Sequence, residues 1–234
     1  MPTAPPFSAL YLLSEPTSGR AFRGVVDPVS ADGVAHISGD ISGNVSGDIS
    51  GDFSGDFSGD ISAAGVAGTA ANLEPVVVRH AGGSGAHDFI WTDEGLTCIS
   101  DRAVRTLRVN AITGWETFEV DVRTKAGRSL QGYAGLDVTG ACGPLDFSAS
   151  ERIEKITPSG RGQAFLGRYF DRGTWDGSMM FRPRGSADIV VTERVRDVLK
   201  RAKIENIELR SLDGVEVPDE EVVLWRRGPT TDPS

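Results

Sequence analysis

Two stretches of the chain follow one plan: Thr97-Cys98-Ile99-Ser100-Asp101-Arg102-Ala103-Val104-Arg105-Thr106-Leu107 and Ile189-Val190-Val191-Thr192-Glu193-Arg194-Val195-Arg196-Asp197-Val198-Leu199. Each opens with a short run suited to a buried strand, then sets a hydroxyl residue, an acid and an arginine in succession. A hydroxyl oxygen at an N-cap accepts an orphan amide of the first helical turn, and an acid beside it complements the helix dipole. Val195, Val198, Leu199 and Ala202 recur at i, i+3, i+4 and i+7, which lays one apolar stripe along a short helix. Val104, Leu107 and Ala111 do the same less fully.

Each helix gives way to a strand-like run, Phe118-Glu119-Val120 or Ile207-Glu208-Leu209, the first after a longer connection around Trp115. The units from Leu96 to Val122 and from Ile189 to Leu212 therefore read as a degenerate strand–helix–strand duplication whose helices need a sheet to cover. Tyr133 to Thr139, Leu145 to Ile156 and Gln163 to Arg172 add apolar runs between turn signals. The expected fold is α+β: a mixed, mostly antiparallel sheet with two short amphipathic helices.

The rest of the chain divides by composition. Residues 1–35 form an N-terminal segment with one strand, Phe7 to Ser14, packing on the main domain; residues 72–225 form that domain, and 226–234 a flexible tail. Residues 36–71 form a Gly/Ser/Asp-rich insertion. Within it, Ser38 to Ile61 is six tetrapeptides of the form Ser-Gly-Asp/Asn-apolar. Glycine in every unit opposes a helix. Ordering so many backbones also costs more than six apolar side chains return on burial. The tract reads as a solvated low-complexity insertion. Its aspartates would also suit a calcium ion, although four residues leave little room for both a ligand turn and a strand.

With 234 residues the chain is long enough to bury a core. Its formal charge of −9 comes mostly from one place: between Gly24 and Val78 there are eight acids and no Lys or Arg. The remainder is nearly neutral, so a phosphate backbone finds little net attraction and nucleic acid is not an expected partner. No apolar run approaches the length of a membrane span, and no basic leader precedes Ala9 to Leu13, so a cytoplasmic location is expected. Two cysteines, Cys98 and Cys142, make neither a disulfide framework nor a four-thiolate zinc site.

Little catalytic machinery is legible. His80, His87 and Asp88 flank a glycine-rich loop with no rigid metal-ligand spacing, and His36 stands apart. Cys98 falls in a buried strand and Cys142 in a Gly-Ala-Cys-Gly-Pro turn, neither beside a base. Gly82-Gly83-Ser84-Gly85 lacks the lysine of a phosphate loop, and Ser84 is not in a nucleophile elbow. No catalytic residue, metal or cofactor is expected. Trp175, Asp176, Arg182 and Arg184 are the candidate partner-binding residues, because Trp and Arg anchor interfaces. An internal Asp176–Arg182 pair fixing the turn is the structural alternative.

Several motifs occur in a fixed order: Tyr133-Ala134-Gly135-Leu136-Asp137-Val138, Thr157-Pro158-Ser159-Gly160, Trp175-Asp176-Gly177, Phe181-Arg182-Pro183, the Thr192-Glu193-Arg194 cap with Val195-x-x-Val198-Leu199, and Asn206-Ile207-Glu208-Leu209. In this, residues 72–225 resemble an immunity-protein family of bacterial polymorphic toxin systems whose type member is myxobacterial, formerly a domain of unknown function. The repeat at 38–61 departs from that pattern. The resemblance implies stoichiometric binding and neutralisation of a cognate protein toxin in the cytoplasm. The rival expectations are a repeat-organised structural or calcium-responsive protein, and a metal-dependent hydrolase using His80, His87 and Asp88.

Overall fold

The computed structural model describes residues 5–17, 22–27, 75–83, 85, 87–157 and 160–219. The 36–71 insertion with its repeat, His36, Ser84 and the 226–234 tail lie outside them. Strands β1 (Leu10–Ser14), β2 (Arg23–Val26), β3 (Val76–Gly82), β4 (Phe89–Thr92) and β5 (Thr97–Ser100) lead to helix α1 (Asp101–Val109). Then come β6 (Glu116–Phe118), β7 (Val120–Arg123), β8 (Ser129–Leu130), β9 (Tyr133–Asp137), β10 (Ala141–Asp146), β11 (Glu151–Thr157), β12 (Gly160–Leu166), β13 (Tyr169–Phe170), β14 (Met180–Arg184) and β15 (Ile189–Thr192). Helix α2 (Glu193–Arg201), β16 (Glu208–Ser211) and β17 (Glu216–Pro218) complete the order.

These strands form three sheets: β6-β9-β5-β4-β2-β3-β7-β8, β13-β10-β14-β15-β1-β16, and β11-β12-β17. Only β2/β4, β3/β7 and β10/β14 pair in parallel, so the architecture is α+β with mixed, mostly antiparallel sheets. Among the described residues no helix is long and apolar enough to cross a membrane.

Both large sheets are covered on two faces, which explains why β5 and β15 read as continuous apolar runs rather than alternating ones. Ile99 of β5, with Ile189 and Val191 of β15, points into a core shared with Val104, Leu107, Val195, Val198 and Leu199 of the helices. Val190 points the other way, to Leu10, Leu12, Phe165, Phe170, Phe181 and Val217. Cys98 and Ile90 likewise back onto Phe22, Val78 and Val122.

The two units share local geometry as well as sequence. β5 and β6 flank an antiparallel β9, and β15 and β16 flank an antiparallel β1. Past each helix the chain enters the left-handed region, at Ala111 (φ 51°) and Lys203 (φ 52°). A buried isoleucine follows, whose amide returns to a helix leucine: Ile112 to the Leu107 carbonyl at 3.1 Å, Ile204 to the Leu199 carbonyl at 3.0 Å. A second left-handed residue, Gly114 or Asn206, then turns the chain toward its strand. The arginines after the caps are exchanged between units. Arg102 Nη2 donates to the Lys203 carbonyl at 2.6 Å and Arg194 Nη2 to the Asn110 carbonyl at 2.9 Å, which sets α1 and α2 antiparallel.

Four local expectations need correction. Ser100 caps α1, accepting the Ala103 amide at 3.1 Å, but the Thr192 hydroxyl is buried with no hydrogen-bond partner among the described residues and does not cap α2. The run Phe118-Glu119-Val120 is not one strand: it breaks at Glu119, with β6 at one end of its sheet and β7 near the other. The segment before residue 36 supplies two strands rather than one. Phe7–Ala9 is a 3-10 turn, β1 begins at Leu10, and β2 adds Arg23–Val26. Gly24 interrupts the apolar pattern of β2 for a steric reason, since a Cβ there would lie 2.5 Å from Val78 Cγ1. Finally, Cys142 sits in strand β10, not in a turn, because β14 supplies a parallel partner from forty residues downstream.

Candidate functional site

The Trp175-Asp176-Gly177 turn is built from its own polar side chains. Asp171 Oδ1 accepts the Gly173 amide at 2.8 Å, and the Thr174 hydroxyl accepts the Gly143 amide at 2.7 Å. Asp176 accepts the amides of Ala141 and Ser178, each at 2.8 Å, one on each oxygen. Trp175 is half-buried; its Nε1 donates to the Ser178 carbonyl at 3.0 Å and its ring lies 6.0 Å from that of Phe181. Gly177, at φ 89°, completes the reversal.

Arg182 takes no part in this turn, so the internal Asp176–Arg182 pair is not formed. Its Nη1 donates to the Ala187 carbonyl at 2.6 Å, and the Asp137 and Asp188 carboxylates lie near it. Burial pushes the guanidinium pKa down, against the opposing pull of those two acids. Burial also pushes the Asp137 carboxyl up, opposed by Arg182. Asp188 is itself paired with Arg168. Arg184 is exposed at the end of β14. The structure thus brings Trp175 and Asp176 together, turns Arg182 into a separate charged cluster, and leaves Arg184 to solvent.

His80, His87 and Asp88 do not converge on one site. His80 Nε2 lies 3.0 Å from the Gly83 carbonyl, with its ring edge-on to Phe22. His87 Nδ1 lies 3.0 Å from Glu205 Oε2. Asp88 is 6% exposed and accepts from the Ser100 hydroxyl at 2.7 Å, Arg102 Nε at 3.0 Å and the Glu205 amide at 2.9 Å. Among the described residues no group of three or more His, Cys, Asp or Glu is placed to hold a metal ion. Burial pushes both thiols, Cys98 and Cys142, up to about 12, with Asp176 adding to the effect at Cys142.

A different surface emerges around β6, unmarked by any motif. One open groove of about 420 Å³ is lined by Arg108, Ile112, Trp115, Glu116 and Thr117. A second, of about 470 Å³, runs along Pro75, Thr117 to Val120, Tyr133 and Ala134. Thr117 lines both, and Arg108 Nη2 donates to its hydroxyl at 3.3 Å. Among the described residues β6 hydrogen-bonds to β9 on one side only and so stands at the end of the sheet. At the end of α1, Val109 is 80% exposed, the one large apolar side chain left so open among the described residues.

The helices carry most of the cationic surface nearby. Residues 101–110 and 193–205 hold eight Lys and Arg against four Asp and Glu, although the whole chain carries −9. Arg102 is paired with Asp88, and Arg196 with Glu193 and Asp197. Arg105, Arg108, Arg194, Lys200, Arg201 and Lys203 are exposed and have no carboxylate partner among the described residues. The signal in the sequence was the break in apolar periodicity at Val109, on a helix whose other valine, Val104, is buried.

No protein-family model matches this chain, and no curated protein sequence matches it.

Proposed function

We propose that this chain is a cytoplasmic immunity protein that neutralises a cognate bacterial toxin by stoichiometric binding, without turnover of a substrate. One observation carries the reading: among the described residues, the side chains best suited to chemistry are engaged in holding the fold. Asp88 binds Ser100, Arg102 and a backbone amide, Asp176 binds two amides, His87 faces Glu205, and both thiols are buried. What faces solvent instead is a cationic helix pair with an exposed valine and a groove containing a tryptophan. An inhibitor needs only such a surface, about 800 Å² on its own side of a standard interface.

The motif order of residues 133–209 supports assignment to the polymorphic-toxin immunity family. The paired left-handed turns and exchanged arginines support a duplicated strand–helix–strand ancestor. Within the family motifs, Trp175, Asp176 and Arg182 act as scaffold in this reading, leaving Arg184 as the member available to a partner. Co-expression with the product of the neighbouring toxin-like gene tests the proposal. Restored growth with one-to-one co-purification is expected; growth arrest with no complex overturns it.

A further inference from the structure

We infer that the outer surface of α1 and α2, together with the Trp115 groove at its edge, is the face that docks an acidic surface of the protein partner. The inference rests on the toxin-binding reading above and adds to it the place of contact and the chemistry of what is contacted.

Three observations converge. First, the face is cationic on an anionic protein. Outside the two helical stretches the chain holds 16 Lys and Arg against 29 Asp and Glu. An acidic partner is therefore drawn to the helices and repelled elsewhere, which orients the encounter as well as accelerating it. Second, the cations are available among the described residues. Arg105, Lys200, Arg201 and Lys203 are exposed with no carboxylate partner there, and Arg194 and Arg108 spend one N–H each on the Asn110 carbonyl and the Thr117 hydroxyl. An arginine held by one donor keeps the others of its planar fork free for a carboxylate. Third, the charge adjoins apolar and aromatic groups. Val109 follows Arg108 in α1, and Arg108 lines the groove with Ile112 and Trp115. Trp115 fixes its own ring by donating Nε1 to the Ile112 carbonyl at 3.0 Å, so one wall of the groove is set before binding. A preset aromatic beside an arginine is the composition of an interface hot spot.

The same face discriminates against a phosphate backbone. Asp101, Glu193 and Asp197 are exposed among the cations. A nucleic acid presents evenly spaced negative charge and would meet these carboxylates, whereas a protein surface can place its own cations opposite them. Commitment to a protein partner follows from that interspersed pattern.

The test uses the full chain and the co-purified toxin. Arg105→Glu/Arg108→Glu and Val109→Asp are compared with Arg128→Glu, which reverses an exposed charge in the β7–β8 turn, outside both helices and the groove lining. Circular dichroism melts confirm that each variant is folded. The expected result is a loss of toxin affinity of about tenfold or more in the two helix-face variants and little change in Arg128→Glu. The wild-type association rate should also fall as salt rises. Unchanged affinity in both helix-face variants overturns the inference while leaving the immunity reading intact. Two other results overturn the assigned occupant: a 20-base-pair duplex binding this face in the arginine-dependent manner while toxin affinity does not change, or a synthetic peptide of residues 36–63 doing so. Failure of the wild-type chain to bind or neutralise the toxin removes both the reading and the inference.

Discussion

Arg102 closes on Asp88 with both Nε and Nη2, and the same Nη2 donates to the Lys203 carbonyl. The pair thus joins the start of one strand–helix unit to the end of the other helix. Burial pushes the Asp88 carboxyl up, but the bonds from Arg102, Ser100 and the Glu205 amide outweigh it and hold the group below the usual carboxylate value. A carboxyl with a depressed folded-state pKa stabilises fully above its unfolded pKa, and the contribution fades as pH falls through the folded value. Asp88→Asn should therefore cost about 1–3 kcal/mol at neutral pH. Urea titrations should show the gap between wild type and variant narrowing below about pH 4. A gap that stays constant down to pH 2 would contradict the assignment.

Ala111 adopts φ 51° just past α1, a conformation that costs a residue with a Cβ roughly 1–2 kcal/mol. Glycine removes that cost but loses some unfolded-state entropy in exchange. Ala111→Gly is expected to stabilise by up to about 1 kcal/mol, a rise in melting temperature of about 2–4 °C. Calorimetry decides, and a lower melting temperature would mean the left-handed turn is not formed.

Glycines with similar backbones should differ in their tolerance of a methyl group. Gly114 (φ 86°) would place a Cβ 2.0 Å from the Met180 carbonyl, whereas Gly127 (φ 76°) has open space around it. Gly127→Ala should cost only the conformational strain, about 1–2 kcal/mol. Gly114→Ala should exceed about 3 kcal/mol, because a backbone carbonyl in the β14 hairpin must move as well. Equal losses in chemical denaturation would show that the close approach does not exist.

With both thiols pushed up to about 12, the thiolate fraction at pH 8 is on the order of 10⁻⁴. Ellman's reagent should release no colour from the native protein within minutes and two equivalents in guanidinium. Rapid labelling of one cysteine in the folded state would place it at the surface, against the burial of Cys98 and Cys142.

The strand–helix units were legible because a 3.6-residue period and two-sided strand burial are local properties. Val195, Val198 and Leu199 had to share a face, and they do. What escaped were features decided by distant pairing. Glu119 divides two strands because β6 has β9 to pair with and β7 has β3, both choices made elsewhere in the chain. Cys142 became a strand residue for the same reason. At the candidate site, Asp176 and Arg182 were selected for their charge and for six-residue proximity. Nothing local revealed that Asp176 would be taken by two backbone amides and Arg182 by the Ala187 carbonyl. The groove at Trp115 was invisible in a similar way, since its walls come from a helix, a turn and an edge strand.

β1 lies between β15 and β16, pairing Leu12 with Val190 on one side and Arg210 on the other. During synthesis that strand leaves the ribosome before either neighbour exists, and about 200 residues must follow before both are in place to enclose it. Until then Leu10, Leu12 and Leu13 are exposed, inviting chaperone capture or self-association. Completion of this sheet is thus a late, slow event of high contact order. A nascent chain halted before residue 189 would keep the β13-β10-β14 half of the second sheet but carry β1 as an orphan strand, with neither of its neighbours made.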